Sequence, residues 1–190
     1  MNIISNNVTN ELIIKKSRFI GILIKVNSLE EINQILVNLK KEHKDASHIC
    51  YAYRLVSKEK AYDDGEPSGT AALPMLDILK KYDLINVIAI SIRYFGGIKL
   101  GASGLIRAYR NSIKECINMI DIKPYKQMKT IVLIARFEDK KKLDSLCKNC
   151  EIINKEYNEN IRYKINIEKD KLDSFIDSIK NTNIIINIIN

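Results

Sequence analysis

A chain of 190 residues with 46% hydrophobic side chains can bury one large core or two small ones, which excludes a disordered chain. Its 31 Lys+Arg against 23 Asp+Glu leave a formal net charge of +8, a bias toward polyanionic partners such as RNA, nucleotides or acidic protein surfaces. No stretch approaches the roughly 18 apolar residues of a membrane span, and "MNIISNNVTNELIIKK" lacks a basic segment ahead of an apolar core, so a cytoplasmic protein is expected.

In chain order, residues 11–26 read as a basic strand. "SLEEINQILVNLKKEH" then carries a helix start: Ser28 to cap the amide of Glu31, and Glu31 to reach back to Ser28. Ile32, Ile35, Leu36 and Leu39 form its apolar stripe. "SHICYAYRLVS" (47–57) predicts a strand and "KEKAYDDGEPSG" a loop. A helix is predicted over 68–82, with Pro74 kinking or interrupting its early part. "LINVIAISIR" (84–93) is apolar almost throughout, the pattern of a strand covered on both faces. A further helix runs from about 102 to 120, and the pattern breaks around Pro124.

Beyond the break come strand 129–137, helix 138–149, strands 150–157 and 161–168, helix 170–181 and strand 183–189. This βαββαβ order is the split-βαβ, ferredoxin-like arrangement. The expected class is therefore α+β, with one domain over 1–122, a linker over 123–128 and a ferredoxin-like domain over 129–190.

Cys147 and Cys150 make a C-x-x-C, but no second ligand pair stands at finger-like spacing. Leu143, Leu146, Cys147 and Cys150 recur at i, i+3, i+4 and i+7, which predicts both sulfurs in the apolar face of a helix. Four scattered cysteines suit a reducing compartment.

"RYFGGIKLGASGLIRAYR" (93–110) places a glycine-rich turn between a strand and a helix, the layout that presents unpaired amides to an anion. Gly96, Gly97, Gly101 and Gly104 keep side chains away, Ser103 is small, and Arg93, Lys99, Arg107 and Arg110 supply positive charge. Neither G-x-x-x-x-G-K-[ST] nor G-x-G-x-x-G is present. The alternative is a tight crossover whose glycines only permit close packing.

"YDDGEPSGTA" (62–71) holds Asp63, Asp64 and Glu66, close enough in sequence to bind Mg²⁺ and equally placed to offset a helix dipole. His48 is a candidate acid or base beside this cluster, against the simpler reading of a packing histidine. No serine or cysteine stands in a recognisable nucleophile context.

Together "SHICYAY", "DDGEPSGTA" and "RYFGGIKLGASGLIRAY" resemble the IMPACT family, in its two-domain, YigZ-like bacterial branch. The resemblance covers nearly the whole chain. Ala72 stands where the family often has glycine. The resemblance implies a first domain similar to the second domain of ribosomal protein S-five and a second similar to domains of elongation factor G. It also implies a part in translation regulation, since eukaryotic members act on the amino-acid-starvation kinase pathway.

Two functions follow as expectations. The first is a non-catalytic, translation-associated factor binding RNA, the ribosome or a translation-related protein through the basic glycine-rich face, with no cofactor. The second is an Mg²⁺-dependent enzyme acting on a phosphorylated small molecule or nucleotide, with His48, Asp64 and Glu66 as its working residues. A third reading makes the acidic and basic motifs partners in a buried polar network that fixes the fold.

Overall fold

The sequence between Val8 and Lys25 forms a hairpin where one strand was expected: strand β2 (Val8–Ile14) turns through Lys15 and Lys16 into β3 (Ser17–Lys25). Both turn residues have positive φ, 46° and 66°, as a two-residue type I′ turn demands. A Lys-Lys pair carries none of the Asn-Gly or Asp-Gly signature of such turns, which hid it. The structure, a computed structural model, describes residues 1–189 and divides into two compact units, Met1–Tyr125 and Lys126–Asn190.

In the first unit, β1 (Asn2–Ile4) precedes the hairpin, and α1 (Leu29–Glu42), β4 (His48–Arg54), β5 (Glu59–Tyr62), α2 (Ala72–Lys81), β6 (Val87–Tyr94), α3 (Ala102–Asn118) and β7 (Ile122–Pro124) follow it. Five strands form an antiparallel sheet in the order β2-β3-β6-β4-β5, while β1 pairs with β7. Residues 122–124, whose Pro124 marked a break, are thus a strand of this unit. β5 also replaces part of the expected loop: it is a short, charged edge strand, paired to β4 from Tyr62 back to Glu59.

Alternation along the strands sorts the two faces. Phe19, Leu23, Cys50, Ala52, Val87 and Ala89 meet α2 and α3. Ile20, Ile22, Ile49, Ile88, Ile90 and Ile92 lie on the other face, with Ile32, Ile35, Leu36 and Leu39 of α1. β6 is therefore buried from Val87 to Arg93, as its unbroken apolar run predicts. Burying each such isoleucine contributes about 1.5–3 kcal/mol.

Local signals fare differently. Ser28 accepts from the Glu31 amide at 3.2 Å, but Glu31 Oε2 accepts from Asn27 N at 2.8 Å, so the reciprocal bond falls one residue before the cap. Pro74 neither kinks nor interrupts α2, because it is the third helical residue and its missing N–H belongs to a turn that needs no intrahelical donor.

In the second unit, β8 (Met128–Ala135), α4 (Lys140–Leu146), β9 (Glu151–Tyr157), β10 (Ile161–Glu168), α5 (Leu172–Ile179) and β11 (Ile185–Ile189) build an antiparallel sheet in the order β11-β8-β10-β9. That is the split-βαβ order expected from the sequence. Ile161, Tyr163, Ile165 and Ile167 face the core with Ile131 and Leu133, and Arg162, Lys164, Asn166 and Glu168 alternate outward. Short 3₁₀ turns at Phe137–Asp139 and Lys169–Lys171 open the two helices. Cys147 closes α4 and Cys150 lies beyond it, so only the first sulfur adjoins the helix, although both reach the core. No helix among the described residues is long and apolar enough to cross a membrane.

Two outcomes are expected. A Cβ on Gly21 would sit 2.3 Å from the Ser112 carbonyl oxygen of α3, so Gly21→Ala should cost about 1–3 kcal/mol or more, read as a lower urea midpoint at unchanged slope. Burial pushes the thiols of Cys50, Cys116 and Cys147 up to about 12. At pH 8 a thiol reagent should therefore label native protein slowly at half-buried Cys150 alone, the other three reacting only after unfolding.

Candidate functional site

Asp63 and Glu66 bracket a tight turn, with Glu66 N donating to Asp63 O at 3.0 Å. Its middle residues, Asp64 and Gly65, have φ of 47° and 86°, the left-handed pair that Asp-Gly adopts readily. The turn docks on the start of β4: the Ile49 amide donates to Asp64 Oδ2 at 2.7 Å, and His48 Nδ1 meets the Asp64 carbonyl at 2.8 Å. A carbonyl only accepts, so Nδ1 carries a hydrogen and Nε2 is turned toward Glu66, 3.9 Å away.

The three carboxylates serve three separate purposes. Asp63 caps α2 from a distance, accepting from the amides of Gly69 (2.8 Å), Ala71 (3.1 Å) and Ala72 (2.8 Å). It thereby offsets the positive end of the helix, while Thr70 donates its hydroxyl to the Pro67 carbonyl. Asp64 holds β4. Glu66, buried, accepts at Oε1 from Arg93 Nη1 (2.5 Å) and from the Tyr109 hydroxyl (2.7 Å). Among the described residues no group of His, Cys, Asp or Glu could hold a metal ion.

Arg93 and His48 are directly paired across β6 and β4, on the α3 side of the sheet. The Arg93 guanidinium lies 5.5 Å from the Phe19 ring centroid and 5.4 Å from that of Phe95, and its Nε finds no hydrogen-bond partner. Phe19 in turn meets Tyr109 edge-on at 5.2 Å. Burial, with Cys50 and Glu66 alongside, pushes the Tyr109 phenol far up, so it remains a hydrogen-bond donor. Acidic and basic motifs thus do form a buried network, but Glu66 is the partner of Arg93 and Asp64 is not.

The glycine-rich segment leaves β6 held at its base: the Phe95 amide donates to Ser47 Oγ at 3.0 Å and the Gly96 amide to Ser17 Oγ at 3.1 Å. A Cβ on Gly96 would fall 2.0 Å from the Lys16 carbonyl, so this glycine serves close packing on the hairpin turn. Gly97 and Gly101 have φ of 82° and 72° with open space where a methyl group would sit, so they shape the backbone. Gly101 precedes α3, and no side chain caps that helix.

A cavity of about 520 Å³ opens beside this N-terminus, lined by Ser47, His48, Glu66, Pro67, Arg93, Phe95, Lys99, Leu100, Gly101, Ala102 and Leu105. Of the expected anion-binding residues it gathers Arg93, Lys99 and Gly101. Ser103 and Gly104 belong to the first turn of α3 without lining the cavity. Arg107 and Arg110 do not converge on it: Arg107 is exposed further along α3, and Arg110 lies 3.8 Å from Asp77 beside a different cavity. Helical geometry explains the miss, since the residues of α3 facing the sheet are Leu105, Ala108, Tyr109 and Ser112.

Tyr109 and Phe95 escaped the sequence reading. Tyr109 had a signal, because a tyrosine on the apolar stripe of a helix needs a buried acceptor. Phe95, amid glycines, had none. Removing the Glu66 charge strands Arg93 in an apolar site, so Glu66→Gln should cost about 3–5 kcal/mol in urea denaturation. The matched Glu66→Leu, Arg93→Met pair should recover most of that loss.

A family model described as "Impact N-terminal domain" matches residues 15–117. YvyE of Bacillus subtilis, an IMPACT family member, is 40% identical over 171 residues, covering 87% of this chain and 79% of that one. YigZ of Escherichia coli, also an IMPACT family member, is 29% identical over 169 residues, 85% of this chain and 83% of its own. A crystal structure of a hypothetical protein superposes with a TM-score of 0.71 at 26% identity, over 100% of this chain and 97% of that one. The glycine-rich turn, the Asp-Gly-Glu turn and the strands that join them all lie inside the matched span, and the chain belongs to the IMPACT family.

Proposed function

We propose that this chain is a non-catalytic, translation-associated regulatory protein that binds RNA at the cavity beside α3, in a cytoplasmic setting. The observation that carries the reading is the uncapped N-terminus of α3, opening on that cavity with the exposed ammonium of Lys99 beside it. Free amides at a helix start and a mobile cation are the usual equipment for holding a phosphate. Kinship supplies the link to translation, through the likeness of the family's domains to a ribosomal protein and to elongation factor G.

The carboxylates favour binding over catalysis. An Mg²⁺ enzyme needs Asp63, Asp64 and Glu66 turned toward one point, whereas they are engaged with α2, with β4 and with Arg93. His48 would have to act alone.

Filter binding of a short single-stranded RNA across a salt series tests the reading. Affinity should fall with salt, and Lys99→Ala should flatten the log–log slope by about 0.7, the share of one phosphate contact on a single strand. Arg110→Gln, outside the cavity, should leave the slope unchanged. Absence of RNA binding even at low salt defeats the proposal.

A further inference from the structure

The cavity's lining combines cationic and apolar groups, a chemistry more specific than a generic basic surface. Its cationic part is the start of α3, the Lys99 ammonium and the Arg93 guanidinium. Its apolar part is Leu100, Leu105 and the ring of Phe95, the last with the Arg93 guanidinium 5.4 Å from its centroid.

Charge limits the guest. Arg93 is balanced by Glu66, leaving Lys99 and the helix end as the uncompensated positive groups. That suits one phosphate monoester and is too little for a triphosphate. Size demands more than the phosphate alone. At about 520 Å³ the cavity falls in the range of about 300–1,000 Å³ typical of organic-ligand sites, and an inorganic ion would leave its apolar walls wet. Shape suggests the remainder. Phe95 is 48% exposed although a guanidinium backs its ring, an arrangement that offers a planar partner a stacking surface.

We propose that this cavity is a pocket for a single 5′-phosphorylated nucleotide, free or at the end of an RNA chain, with the phosphate at the start of α3 and the base against Phe95. The proposal rests on the reading above that the cavity is the binding site, and it adds which part of the ligand enters it.

Isothermal titration of the full chain with AMP, adenosine and inorganic phosphate tests it. AMP should bind at least about tenfold more tightly than either fragment, the minimum expected from a charge-assisted contact and stacking acting together. Lys99→Ala and Phe95→Ala should each weaken AMP by about tenfold, at the same urea midpoint as the parent. Ala102→Pro is the sharper variant. Proline suits the first helical position, so the fold is kept while one amide donor is deleted, and AMP should again weaken.

A parallel arm compares one short RNA with a 5′-phosphate and with a 5′-hydroxyl. Preference for the phosphorylated end, with competition by AMP, supports the pocket and names the RNA terminus as the source. AMP binding with indifference to the RNA end supports the pocket and names the free nucleotide. Salt-sensitive RNA binding with no AMP binding and no end preference overturns the pocket and leaves the RNA function standing. AMP binding with no RNA binding at any salt does the reverse. AMP no tighter than adenosine or inorganic phosphate, or unaffected by Lys99→Ala, Phe95→Ala and Ala102→Pro, overturns the pocket as well.

Discussion

The ion pair between Glu66 and Arg93, buried under α3, is the constraint on which the first unit is organised. A guanidinium on the inner face of a central strand is tolerated only with an opposite charge in contact, and the Asp-Gly turn delivers that charge. Once the turn is docked, Asp63 is in place to cap α2, Asp64 to hold the start of β4, and Tyr109 to fix α3 through the same carboxylate oxygen. The start of α2, the start of β4 and the middle of α3 are therefore set by four consecutive residues, 63–66.

Two close backbone approaches complete the arrangement. Gly21 lets α3 settle onto β3 at the Ser112 carbonyl, and Gly96 lets the loop after β6 press on the turn of the first hairpin. With the helix seated and its leading loop pinned, the amides at the start of α3 face the cavity without any side chain arranged to satisfy them. Packing glycines and backbone-shaping glycines are thus different members of one run: Gly96 serves the core, and Gly101 shapes the helix entry.

This division explains what the sequence could and could not tell. Strand β6, the stripe of α1 and the βαββαβ order of the second unit were legible because each repeats one apolar period over many residues. The glycine-rich turn and the acidic turn were legible as motifs. Their pairing was read only in outline, as motif with motif and no residue of the acidic turn assigned to Arg93, because a tight turn reverses side-chain direction within a residue or two. Arg107 and Arg110 share a helix face, as three-residue spacing requires, but the spacing does not say which face meets the sheet; Tyr109 between them settles that. The Lys15-Lys16 turn and the edge strand β5 were hidden by residues that tolerate those roles without favouring them.

The pairing of β1 with β7 closes the first unit on itself: Asn2 lies opposite Pro124, and Tyr125 N donates to Met1 O at 3.0 Å. Entry and exit of the chain are thereby neighbours, like the two tails of a clasp. A segment built this way can be transplanted as a cassette into a surface loop of an unrelated host without stretching either junction, and its ends offer a natural seam for circular permutation.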